Sequence, residues 1–464
     1  MVTFCKRKNC CVLGIAMLMP VLGVYAQQKN YSLYELIEAA GDHMPVIQQK
    51  KALLKGSEAV ITDVKHSFLP RFTISDQVNT GTDNSIAGSY LPLTAVPSAS
   101  AGVRDGNIYQ PATGNIGALY GEYELINFGL NKARLKNAGA YKDLQQADLQ
   151  RELYLLQLGV SRIYFNLLKL QYRLAADRQN TSRYDSIFNV IRALAVSGIK
   201  AGADSSLAKA ELSRARIIYN QTLGGLNDLK EQLAYLTGMP ASSFRSDSFA
   251  INFINNRPAP TSFRADTLNN PLMDFYVKKK NIFLSNEPVI RKSYLPRVVL
   301  AGSAWMRGSS IQYNDDYKSL ATGLGYQRFN YMAGIGINYN LFNGLYKKDK
   351  LAINRFQVQA TGFELEQERL QLVLSVSQSD IALNTAKVNL AELPVQLQSA
   401  TDTYFQKLAQ YKAGIISLID LTNASFVLYR SQTDYIETVS DWCLAALEKA
   451  AATGNLNQFI QTIK

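Results

Sequence analysis

Histidine is nearly absent from this 464-residue chain, which holds only His43 and His66. Two imidazoles leave little room for a histidine-based metal centre or a Ser-His-Asp triad. Cysteine is scarce as well: there are four, and Cys5, Cys10 and Cys11 sit together at the start. Beyond that start no apolar run reaches 18 residues, so the mature chain does not cross a bilayer as a single helix. Charge is modest, 19% of residues against 47% hydrophobic, which excludes an intrinsically disordered protein. The 49 Lys and Arg outnumber the 37 Asp and Glu, but they are scattered, which argues against a nucleic-acid partner. No nucleophile–base pair or cluster of metal ligands stands out. No enzyme activity, metal or cofactor is expected.

The length allows two or three domains and a large core. The first 26 residues read as an export address. Lys6, Arg7 and Lys8 precede an apolar stretch from Cys11 to Val24, which ends in Val24-Tyr25-Ala26. Small residues at the −3 and −1 positions, Val24 and Ala26, suit cleavage after Ala26; the alternative, an anchor helix, is short for a span. No cysteine follows the stretch, so no lipobox is expected. Cleavage would leave Cys443 alone, with no internal disulfide. It would also lower the net charge from +12 by three, to +9, and such a basic exported protein suits anionic lipid headgroups or polyanions.

The remainder is written twice. Phe68-Leu69-Pro70-Arg71 recurs as Tyr294-Leu295-Pro296-Arg297, and Pro45 recurs as Pro271. Leu125-Ile126-Asn127 matches Leu341-Phe342-Asn343, Gly198 and Asp204 match Gly414 and Asp420, and Thr237-Gly238 matches Thr453-Gly454. Such self-similarity marks a duplicated architecture. It divides the chain into a leader (1–26), a first repeat (27–240), a linker with Pro258 and Pro260 (241–265) and a second repeat (266–464). Each repeat carries a helix, two strands, a very long helix and a return helix. The hairpins of helices are expected at about 127–238 and 344–454.

Leu149, Leu153, Leu156, Val160, Ile163, Leu167, Leu170 and Leu174 alternate spacings of four and three, the seam of a coiled coil. Leu365, Leu372, Val376, Leu383, Ala386 and Leu390 keep the frame in the second repeat, with Arg369 and Ser379 interrupting it. A helix of 65–70 residues is roughly 100 Å long and needs partners along its whole length. Gly198 and Gly414 fall where each long helix should stop.

Four strands are expected, at about 68–80, 115–126, 294–306 and 330–342. In the last, Ile335, Ile337, Tyr339 and Leu341 alternate with Gly334, Gly336, Asn338 and Asn340. In the second, Leu119, Tyr123 and Leu125 oppose Ala118, Glu122 and Glu124. This suits a membrane barrel wall with Glu122 and Glu124 toward a wet lumen, or else a half-buried soluble sheet. Four strands cannot close a barrel, and open edges do not occur in lipid, so in the membrane reading several chains must share one.

This ordered pair of repeats resembles the TolC-like family of outer-membrane efflux proteins. The Leu-Pro-Arg strand starts and the turns at Gly198…Asp204 and Tyr411-Lys412-Ala413-Gly414…Asp420 carry the likeness. The resemblance implies a mostly α fold with β: a homotrimer whose 12-stranded barrel, four strands per chain, continues into a long α-helical coiled-coil barrel. It implies location in the outer membrane, contact with its lipid and extension into the periplasm. The implied function is a passive exit duct for efflux or type I secretion, docked to a periplasmic adaptor and an inner-membrane pump. Opening would come from the helical hairpins splaying apart as the adaptor packs on their outer grooves.

The resemblance also implies a pore constriction at Asp420, Asn423, Tyr411 and Asp204. Asp420 matches an aspartate ring, in which one raised pKa is plausible. A second entrance aspartate is Asn423 here. Tyr411 and Asp204 match two members of an interhelix lock, while the arginine near Gly414 is replaced by Ile416, for which Lys200 or Lys412 could substitute. Read from the residues alone, Asp204 and Asp420 could equally cap the return helices, and Tyr411 could be a packing residue. Pro70 and Pro296 read as structural helix-to-strand transitions. The rival to the duct is a non-conducting envelope scaffold built on the same coiled coil.

Overall fold

The structure, a computed structural model, describes residues 31–85, 103–199, 201–244 and 270–463. The leader, Lys200 and the linker from 245 onward lie outside the described residues.

Two short helices open the first repeat. α1 (Leu33–His43) begins with a capping box in which the Ser32 hydroxyl accepts from the Glu35 amide and Glu35 accepts from the Ser32 amide. α2 (Pro45–His66) begins on proline, whose missing amide is no loss in a first turn. Its counterpart in the second repeat, α5 (Pro271–Ser293), also begins on proline, with the Asn270 side chain accepting from the Leu272 amide at 2.9 Å. Both end just ahead of Leu-Pro-Arg, and strands start directly after Pro70 and Pro296.

The four strands are β1 (Arg71–Gly81), β2 (Ala112–Ile126), β3 (Arg297–Ser309) and β4 (Arg328–Asn338). They form one antiparallel sheet in the order β1-β2-β3-β4, so β1 and β4 are its edges. Three differences from the sequence reading have local causes. Residues 68–70 and 294–296 are not strand, because the end of the preceding helix and the proline occupy them. β4 stops at Asn338 instead of 342, because the Asn340 side chain accepts from the Phe342 amide at 2.9 Å and turns the chain. At the end of β2 a bulge between Glu124 and Ile126 leaves Leu125 unpaired and brings Ile126 opposite Val298, so the strict alternation stops there.

The hairpins of helices are α3 (Leu130–Val196) with α4 (Gly202–Thr237), and α6 (Asn343–Lys412) with α7 (Leu418–Ala452). α3 has 67 residues and α6 has 70, roughly 100 Å each. Each stops on a left-handed glycine, Gly198 at φ +76° and Gly414 at φ +74°. The closing bonds repeat too: the Ile199 amide donates to Leu194 and the Ile415 amide to Gln410, both at 3.0 Å.

The main core lies where α3, α4, α6, α7 and the terminal α8 (Leu456–Thr462) meet, with Tyr154, Leu158, Phe165, Leu168, Trp442 and Phe459 buried in it. The expected seam is wider than a heptad line. Leu149, Val160 and Leu167 are buried and the other seam residues half-buried, while Tyr154, Leu158, Tyr164 and Phe165 are buried beside them. α3 packs against α1, α2, α4, α5 and α7, so more than one stripe is covered. The expected start of the linker is also part of the fold. Ala241–Ser243 form a short 3₁₀ turn, and Phe244 is buried with its ring 6.2 Å from that of Tyr31.

Candidate pore entrance and duct wall

At the far tip of the second hairpin, Ser417 and Asp420 form a capping box. The Asp420 amide donates to Ser417 Oγ at 3.3 Å, and Asp420 Oδ2 accepts from the Ser417 hydroxyl at 2.6 Å and its amide at 3.1 Å. The Ser417 hydroxyl, then its amide, hold the Asp420 carboxyl below the usual range. Within one chain this runs opposite to the raised value expected of converging carboxylates, because capping bonds favour the charged form. Asp420 and Asn423 are both exposed, one helical turn apart on the same face of α7.

Tyr411, in the last turn of α6, is buried in an apolar cluster with Tyr404, Leu418 and Leu421. Burial, and secondarily the charge of Asp204, raise its hydroxyl pKa. The structure thus brings Tyr411 and Asp204 into electrostatic reach across the two hairpins. Asp204 lies in the first turn of α4, its amide bonded to the Ala201 carbonyl at 3.1 Å. Ile416 is half-buried on the same apolar cluster, so a packing residue stands where the lock arginine was expected. Lys412 is exposed in the last turn of α6.

Several residues that join the repeats escaped the sequence reading. The Tyr154 hydroxyl donates to the Ala451 carbonyl at 2.6 Å. Arg162 makes a two-pronged bond to Glu448 at 2.5 and 2.8 Å, and Arg173 reaches Glu437 at 2.8 Å. Nearer the tip, Tyr429 donates to the buried Asp177 at 2.6 Å. Arg183 donates to Asn180 and Gln432, and its guanidinium lies 5.9 Å from the Tyr404 ring centre. All four pairs before Arg183 tie α3 to α7. The signal was present: Asp177 falls at the next seam position after Leu174, where an acid is out of place.

At the opposite end of the helices, register gives the sheet two chemistries. Phe72, Ile74 and Val78 of β1 share a face with Leu119 and Tyr123, with Val298, Leu300 and Met306, and with Phe329, Tyr331, Ile335 and Ile337. These side chains are largely exposed, Ile74 at 83% and Tyr331 at 81%. The Phe72 ring covers Gly121 across the strand pair, filling the gap a glycine leaves in a wall. Phe72 and Tyr123 lie toward the helices and Phe329 and Tyr331 toward the loops, as aromatic girdles do at two interfaces. Asp76 is the charged residue on this face, hydrogen-bonded by Tyr326 of the β3–β4 loop, and Thr80, Thr113 and Asn115 follow it at the loop end.

The other face carries Arg71, Thr73, Ser75 and Gln77, Tyr120, Glu122 and Glu124, Arg297, Ser303 and Arg307, and Arg328, Asn330 and Asn338. Ile116, Val299, Trp305 and Met332 are its larger apolar members. The 13 residues of β3 extend roughly 40 Å at about 3.3 Å each, and a tilt near 40° reduces that to about the thickness of a hydrocarbon layer. No described helix is long and apolar enough to cross a membrane. Among the described residues no group of three metal-binding side chains gathers.

α6 adds a third surface. Ile353, Phe356, Phe363, Leu370, Leu374, Ile381, Val388 and Val395 follow one another at spacings of three, seven or four, and all are exposed. Such a stripe along a long helix is a seam without a partner among the described residues.

No curated protein matches the chain by sequence. Among solved structures, the outer membrane protein VceC of Vibrio cholerae superposes with a TM-score of 0.71 at 13% identity, covering 91% of this chain and 96% of that one. The Campylobacter jejuni CmeC outer membrane channel gives 0.70 at 15%, covering 91% and 86%. The Neisseria gonorrhoeae MtrE outer membrane channel, in its open state, gives 0.66 at 16%, covering 91% and 89%. These likenesses concern the fold. The sequence profile described as outer membrane efflux protein matches residues 36–239 and 288–455, most of both repeats. A duplicated chain with a two-faced four-stranded sheet at one end of two long helical hairpins thus belongs to the outer membrane efflux protein family.

Proposed function

We propose that the protein is the outer-membrane exit duct of a tripartite efflux or type I secretion system, a passive channel and not an enzyme. The observation that carries this reading is the sheet: four strands, apolar on one face and polar on the other, with edges at β1 and β4. Open edges are excluded from lipid, so β4 of one copy must pair with β1 of the next. Three copies give a closed 12-stranded barrel, wide enough for a wet lumen. The exposed stripe of α6 supplies the matching helical contact below the membrane. The polar face favours a duct over a non-conducting scaffold, since a scaffold has no use for a wet interior.

In this reading the chain is exported with a cleaved leader, sits in the outer membrane and reaches through the periplasm to an adaptor and an inner-membrane pump. Asp420 and Asn423, exposed at the tip of α7, face the constriction; Tyr411 and Asp204 hold the hairpins together beside it. Splaying of the hairpins opens the pore. Single-channel conductance of the purified mature trimer tests this, wild type beside Asp420→Asn. Discrete cation-selective steps that lose selectivity in the variant are expected. A folded trimer that never conducts, even with Tyr411→Phe and Asp204→Asn introduced to loosen the tip, would overturn the duct in favour of the scaffold.

A further inference from the structure

Where the sheet meets the helices, the structure contains a cavity of about 820 Å³ that none of the entrance residues touches. Its charged lining is Arg71, Arg297, Glu122 and Glu124. Duplication put the two arginines there: each is the first residue of a strand after Leu-Pro, and both lie on the polar face. The four charges are not equivalent. Arg71 and Arg297 are exposed, whereas Glu122 and Glu124 are half-buried. Glu122 accepts from the Tyr120 hydroxyl at 3.1 Å, and Glu124 Oε1 is shielded from solvent with no donor. The carboxylates are therefore held in the wall, and the guanidinium groups reach the open space.

We infer that this neck is a second charge filter, set to the opposite sign from the acidic entrance, where Arg71 and Arg297 take the carboxylate, sulfonate or phosphate group of a passing solute. The inference rests on the duct reading, which places the polar face toward the lumen. Guanidinium groups suit the work because their planar fork matches such anions and stays charged at any working pH. Two per chain, repeated around the ring of copies at the foot of the barrel, concentrate anions locally. Glu122 and Glu124 behind them weaken the attraction, so that an anion is held briefly and released, as conduction requires.

The test reads the local potential directly. Thr73 lies on the same face two residues beyond Arg71. Thr73→Cys, in a trimer carrying Cys443→Ala, is reconstituted in liposomes and reacted with an anionic and a cationic thiosulfonate of similar size. The anionic reagent is expected to react faster, relative to its rate with free cysteine. Adding Arg71→Ala and Arg297→Ala should shift the ratio toward the cationic reagent by about tenfold at low salt, and much less at 1 M salt. Arg71→Lys with Arg297→Lys should preserve the sign, and Glu122→Gln with Glu124→Gln should strengthen it. An unchanged ratio in the double alanine variant overturns the filter. So does a Thr73→Cys thiol inert to both reagents while Ile74→Cys, on the opposite face, reacts. Conductance of the same preparations separates the two ideas: a conducting trimer with an unmoved ratio loses the filter and keeps the duct.

Discussion

α3 and α6 are the equivalent long helices of a duplication, similar in length and in apolar frame, yet they are covered differently. α3 is packed by α1, α2, α4, α5 and α7, and buries Tyr154, Leu158, Tyr164, Phe165, Leu167 and Leu168 in one stretch. α6 packs chiefly on α5 and α7 and leaves Phe363 at 77% and Ile381 at 69% exposure. A heptad pattern states that a helix needs a partner, but not where the partner is encoded. For α3 it is the same chain. For α6 no described residue supplies it, and in the proposed duct another copy is the occupant, as the open strand edges also demand.

The sharpest way to break that comparison is to charge both helices. Phe363→Asp with Ile381→Asp should leave a helical, folded chain that runs as a monomer in detergent by light scattering. Phe165→Asp with Leu167→Asp should leave no folded protein. Milder truncation keeps the contrast: Phe165→Ala costs about 3–5 kcal/mol of chain stability, and Ile381→Ala far less. A trimer that survives Phe363→Asp with Ile381→Asp would mean the stripe faces something other than a second copy.

Most of the architecture was legible in the sequence because duplication printed each signal twice. Leu-Pro-Arg, Gly198 with Gly414, and the seam fixed the order of elements without any chemistry. The bounds were less legible where side chains act locally. Asn340 closes β4 early, and the bulge at Leu125 breaks an alternation that composition alone continues. Phe244 was hidden because nothing in a three-residue turn predicts that the next aromatic packs back on Tyr31. At the tip, proximity of Tyr411 to Asp204 could be guessed from the resemblance, whereas the cap made by Ser417 needed geometry. The inter-repeat ties were missed because Arg162–Glu448 and Arg173–Glu437 join residues more than 250 positions apart.

Those ties sharpen the comparison next, since they bind α3 and not α6 to the return helix of the other repeat. Removing the Tyr429 hydroxyl leaves the buried Asp177 carboxylate without its donor, so Tyr429→Phe should cost about 1–3 kcal/mol. Both phenols have pKa values raised above the ordinary range, Tyr154 by burial, and Tyr429 by burial and then by Asp177. A raised phenol contributes stability that is complete below its unfolded pKa near 10 and is lost as pH climbs above it. The thermal midpoint should therefore be flat up to about pH 10 and fall beyond it. Tyr154→Phe with Tyr429→Phe should start lower and fall less steeply. An alkaline slope identical in the variant would show that other groups govern that limb.

The smallest effect concerns the turns, where the two hairpins are most alike. Gly198 and Gly414 adopt the same left-handed backbone, and an added Cβ at either meets nothing within 4 Å. Only the intrinsic strain of that conformation should register, so Gly198→Ala and Gly414→Ala should each cost about 1 kcal/mol, measured by denaturant unfolding of the monomeric Phe363→Asp/Ile381→Asp chain. The comparison is then carried into the trimer. Equal costs there would show that neither turn is enclosed by neighbouring copies. A cost that rises at Gly414 alone would set the second turn, the one ahead of Asp420, against its symmetry mates, where a constriction made of three copies requires it to be.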